Sequence, residues 1–187
     1  MPGVLFGPAM VGILVDHANF SESYAGWVMA CGSAGSALTL IVISGYIHRI
    51  NLKTLSYICL SIAVLIDIYC SLIVEPSFIF LVLRFAIGVL VTIANIAVYT
   101  SIASFSNYER GYGLFVMLQY SISGLGLYYL ILYSESIGAK GLYLILALFN
   151  FLALLFVNQL PETKSDPSMG SDKGSEMTII LSGLALL

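Results

Sequence analysis

Residues 54–105 read TLSYICLSIAVLIDIYCSLIVEPSFIFLVLRFAIGVLVTIANIAVYTSIASF, and their only charges are Asp67, Glu75 and Arg84. Cut at Glu75-Pro76-Ser77, the stretch becomes two apolar segments, 54–74 and 78–105. Each meets the length of about 20 residues that a helix needs to cross a bilayer. Two such segments joined by a tight polar turn read as a transmembrane helical hairpin, the third and fourth spans of the chain.

The rest of the chain agrees. Its 187 residues are 59% hydrophobic and 9% charged, with a mean hydropathy of +1.00, against about 25% charged in an ordinary soluble domain. So little polar surface could not cover a soluble globule. A soluble enzyme and a disordered protein are excluded. Lys+Arg is 7 against Asp+Glu 10, which leaves no basic footprint for nucleic acid.

Working outward, residues 1–15 form a short apolar first span with no basic residue before it, unlike a signal peptide. A polar connector, 16–23, follows, and Ser21 or Ser23 is placed to cap the next helix. Span two, 24–47, is uncharged; Gly26, Ala30 and Ala34 recur every four positions, with Gly32 and Gly35 beside them, a spacing that admits a close helix neighbour. Span five covers 111–133, 134–140 is a loop, and span six covers 141–160. A six-span bundle over 1–160 is thus expected, then a polar linker at 161–176 (PETKSDPSMGSDKGSE), then a truncated seventh span at 177–187. Arg49, Lys53, Arg110, Lys164 and Lys173 fall on one side of this arrangement, and only Lys140 on the other. The positive-inside rule makes the first side, linker included, cytoplasmic. The chain reads as a multi-pass protein of the plasma or inner membrane.

Charges at membrane depth are costly and usually face a bundle interior or a cavity. Asp67 and Arg84 lie equally far from the centre of the turn between them. At about 1.5 Å per residue they reach one depth, roughly a third of the way in from the outside. An ion pair satisfies both. It either clamps the hairpin or serves gating or substrate binding, and Asp67 is a candidate proton carrier. In span four, Arg84, Gly88, Thr92, Asn95 and Tyr99 fall within an arc of about 80° at about 100° per residue. Such a stripe faces either a polar partner helix or a water-filled cavity. Arg84 favours the cavity and leans toward an anionic solute, since a guanidinium can hold an anion bidentately. Gln119 with Ser123, and Tyr143 with Asn150, are weaker echoes in spans five and six and read as packing contacts first, with Gln119 kept as a candidate on the route.

No nucleophile–base set, metal cluster or phosphate loop is readable, so catalysis has no candidate residues and no cofactor is implied. Cys31, Cys59 and Cys70 lie in apolar runs without CxxC spacing and read as packing residues.

Three motifs carry a resemblance. Gly45-Tyr46-Ile47-His48-Arg49-Ile50-Asn51-Leu52-Lys53 resembles the signature loop between helices two and three of the Major Facilitator Superfamily. Arg84-Phe85-Ala86-Ile87-Gly88 resembles that family's Arg-x-x-x-Gly motif in helix four. Asn107-Tyr108-Glu109-Arg110-Gly111 resembles the acidic–Arg–Gly turn that opens helix five. Pro161-Glu162-Thr163-Lys164 is similar to an ending found in sugar-transporting members. His48 replaces the loop's usual aspartate and Asn51 its glycine, so Gly45, Arg49 and Lys53 are what carries over. Span five lacks the Gly-Pro pattern common in drug/proton antiporters.

The resemblance implies an all-helical half of a twelve-helix transporter, with a small solute bound at midplane between two halves and released by rocking. By motif position and depth, Arg84 and Asn95 would line the route, joined by Thr92, Tyr99 and Gln119. A half needs its C-terminal half, a second copy or another partner to enclose a site. The alternative expectation is a truncated, non-transporting membrane bundle that binds a partner.

Overall fold

The computed structural model describes residues 6–44, 51–103 and 107–157, and among them every regular element is an α-helix. There are six: α1 (Gly7–Ala18), α2 (Glu22–Ser44), α3 (Leu52–Leu72), α4 (Phe78–Ala103), α5 (Tyr108–Leu132) and α6 (Ser134–Val157). All but α1 are long and apolar enough to cross a membrane. The linker 161–176 and the expected seventh span 177–187 lie outside the described residues, as do Gly45 and Arg49.

Helix starts follow local chemistry. Ser21 Oγ accepts the Tyr24 N–H at 3.2 Å, Asn51 Oδ1 accepts the Thr54 N–H at 3.4 Å, and Ser77 Oγ accepts the Phe80 N–H at 3.3 Å. Each serves one of the donors that the first turn of a helix leaves without a partner.

Two boundaries differ from the sequence reading. The connector expected from residue 16 begins later, because α1 runs to Ala18. It stops where Asn19 takes the left-handed conformation (φ 55°) and the Phe20 N–H returns to Leu14 O at 3.2 Å, a hydrogen bond that closes helix ends. The loop expected at 134–140 is instead helical, broken only at Gly138 (φ 57°, ψ −176°). A side chain would be strained in that conformation, so the glycine lets the chain turn there and resume as α6.

Helix α4 is the hub. It packs along both α2 and α3, while α3 pairs with α6; α1 leans on α6 and α2, and α5 touches its neighbours sparsely. Two apolar layers result. The first gathers Leu14, Phe20, Cys70, Phe80, Leu130, Leu142 and Tyr143, tied by edge-on ring contacts of Phe20 with Tyr24 and Phe80 and of Phe80 with Tyr143. The second gathers Leu60, Ala94, Val98, Ile102, Phe115, Ala153 and Val157. Along α3, α4 and α6 alike, the chain passes from one layer to the other through buried polar residues. Apolar side chains such as Ile41, Leu65, Leu72 and Phe78 point away from the bundle, as a lipid-facing surface requires.

The close helix contact also differs from expectation. Gly26, Ala30 and Ala34 lie on the exposed face of α2. It is Gly32 and Gly35 that meet α4: a Cβ on Gly35 would strike Phe85 O, and a Cβ on Gly88 would strike Gly32 O. Spacing alone gave two small-residue faces, and the glycine opposite, Gly88, selects between them.

Candidate functional site

The polar belt between the two apolar layers is built by three helices. Arg84 on α4 places Nη2 at 2.9 Å from Asp67 Oδ1 on α3. The other carboxylate oxygen, Oδ2, accepts from Asn150 Nδ2 on α6 at 2.7 Å. Both ions are buried, Asp67 at 1% exposure and Arg84 at 6%. The guanidinium carbon stands 4.3 Å from the Tyr143 ring centroid and 5.7 Å from that of Phe80. Those ring faces add attraction for a desolvated cation. Of the pair's remaining hydrogen-bonding positions, Asn150 serves the second carboxylate oxygen, and Tyr143 and Phe80 flank the guanidinium without hydrogen-bonding it.

A cavity of about 90 Å³ opens beside this belt, bounded by α1, α2, α3, α4 and α6. Its polar lining is Ser33 and Ser36 from α2, Asp67, Arg84 and Thr92, and Asn150; Met10, Val28, Met29, Ile87, Val91 and Leu146 supply the apolar wall. Ser36 Oγ lies 3.1 Å from Gly32 O and 3.2 Å from Gly88 O, so its single proton is shared across the α2–α4 seam. Two buried polar atoms of the lining have no hydrogen-bond partner among the described residues, Arg84 Nε and Thr92 Oγ1. The volume lies below the roughly 300–1,000 Å³ of pockets that enclose a drug-sized ligand. The cavity is therefore a cleft for a small molecule, or one wall of a larger enclosure.

The polar stripe of α4 divides. Arg84, Gly88 and Thr92 line the cavity. Asn95 does not: its Nδ2 returns to Val91 O at 3.0 Å within its own helix. Tyr99 stacks on Tyr112 (centroids 5.9 Å apart), meets Phe115 edge-on and gives its backbone carbonyl to the Tyr112 hydroxyl at 3.1 Å. It packs against the second apolar layer. Gln119 is buried in α5 away from the cavity lining, and Lys53 lies in the first turn of α3.

Two residues read as packing contacts, Tyr143 and Asn150, instead flank the ion pair. Their seven-residue separation in α6 puts both on one face, which is the signal that could have raised them. Ser33 and Ser36 were not singled out. Among the described residues no cluster of His, Cys, Asp and Glu could hold a metal ion.

No curated protein and no solved structure matches the chain. The model of the Major Facilitator Superfamily matches residues 2–185, nearly the whole length, and the chain belongs to that superfamily.

Proposed function

Since the chain belongs to the Major Facilitator Superfamily, whose members are transporters rather than enzymes, we propose that it moves a small solute across a membrane without ATP. Its six helices supply the N-terminal half, completed by a C-terminal half or a second copy. The observation that carries this reading is the cleft at membrane depth, where buried Arg84 and Thr92 retain unpartnered polar atoms. Each is a hydrogen-bonding position that a solute in the cleft can serve. Arg84, Gly88 and Thr92 form the α4 wall of the route, and Ser33, Ser36 and Asn150 complete its polar lining. Asn95, Tyr99 and Gln119 brace the helices instead. The host is the plasma or inner membrane, with 161–176 on the cytoplasmic side.

A second reading, a partner-binding bundle that carries no solute, draws on a different observation: Asp67 and Arg84 already satisfy one another. Uptake separates the two. Proteoliposomes holding the protein from its native reading frame, given an inward solute gradient, accumulate solute on the transport reading. Exchange of Thr92 for Val, with protein level unchanged, lowers that rate. A rate equal to empty liposomes across a broad panel of small solutes favours the bundle.

A further inference from the structure

From the charges of the cleft we infer the class of solute it takes: a small molecule with no net charge, carrying a hydrogen-bond acceptor on a short apolar body. The inference rests on the transport reading above and deepens it. Among the described residues, Asp67 and Arg84 are the only charged ones that line the cleft. They neutralise one another at 2.9 Å, the second carboxylate oxygen is taken by Asn150, and aromatic rings flank the guanidinium. An entering anion would find a cation that is already compensated. An entering cation would find a carboxylate with both oxygens occupied. On this wall either would leave water without a counter-ion to replace it, the costly case for any buried charge.

The hydrogen-bonding positions that remain suit a neutral group. Arg84 Nε is a donor, and the Thr92 hydroxyl is donor and acceptor; neither has a partner among the described residues. A carbonyl, carboxamide or hydroxyl can use either without bringing a charge. The apolar wall gives a short hydrocarbon body its place, and Met10 and Met29 have the flexible thioether chains that adapt to varied shapes. The lean toward an anion, drawn from Arg84 alone, is thereby revised: the arginine's charge is used inside the protein.

The test uses three probes of one skeleton, butanamide, butanoate and butylammonium, added to the full chain in lipid nanodiscs and followed by saturation-transfer NMR titration. Butanamide binds, and each charged probe binds at least about tenfold more weakly, about 1.4 kcal/mol. Thr92→Val weakens butanamide by about fivefold, the size of one lost hydrogen bond. Asp67→Asn leaves the guanidinium without its counter-ion and turns the preference toward butanoate, a reversal that mere loss of packing would not produce. Butanoate binding the unaltered chain as tightly as butanamide overturns the inference, and so does the absence of binding by all three. Neither result decides transport, which liposome uptake reads separately: uptake confined to anionic solutes keeps the transporter and discards the neutral class.

Discussion

Helices α4 and α5 are almost equal in length, at 26 and 25 residues, and both carry glycines and polar residues within an apolar sequence. Their situations are opposite. In α4 eleven residues are buried, in α5 five. Gly88 of α4 lies against the backbone of Gly32, whereas in α5 a Cβ on Gly113 or Gly124 would meet nothing within 4 Å and one on Gly126 would meet the Phe6 side chain rather than a backbone. Arg84 and Thr92 of α4 look onto a cleft, whereas Gln119 and Ser123 of α5 are buried outside its lining. The contrast teaches that composition marks a transmembrane helix but not its rank in the bundle. Rank comes from what stands opposite: a second glycine, a counter-ion, an amide from a third helix.

Substitutions can break that contrast, and refolding equilibria in detergent–denaturant titrations read each one. The largest effect is expected for Asp67→Ala, which strands the buried guanidinium of α4 and removes the Asn150 acceptor; losing one partner of a buried pair costs about 3–5 kcal/mol. Next comes Gly88→Val, which forces α4 away from Gly32 and costs about 1–3 kcal/mol or more, as overpacking does. Ser36→Ala removes the shared proton of the seam and is expected to cost about 1 kcal/mol. The smallest effect belongs to α5. There Gly124→Ala meets open space and gains helix propensity, so stability holds or rises by up to about 1 kcal/mol. A loss at Gly124 matching that at Gly88 would erase the distinction between the two helices.

The same contrast explains what could be read from the chain. The α3–α4 hairpin and the approach of Asp67 to Arg84 were legible because both are local: a short turn fixes the register, and equal distances from it fix the depth. Asn150 was not legible as a partner of Asp67, since 83 residues separate them and no spacing rule spans that distance. The face of α2 was misjudged for a related reason. A four-residue repeat says that a helix can approach, and only the position of Gly88 says where. On α4, angular position alone joined Asn95 and Tyr99 to Arg84. The structure parts them because Asn95 turns back to its own carbonyl ladder and Tyr99 finds an aromatic neighbour, Tyr112.

The salt bridge between neighbouring helices also bears on how the chain enters the bilayer. Alone, a charged residue at the centre of a helix raises the cost of insertion by about 2.5–3.5 kcal/mol. Only residues 73–77 separate α3 from α4, so Asp67 and Arg84 can meet as soon as both helices have been synthesised. The hairpin can then leave the insertion machinery as one electrically neutral unit, before α6 exists to add Asn150. Order of synthesis thus places the pair first and its third partner last, and the polar belt assembles in the direction of translation.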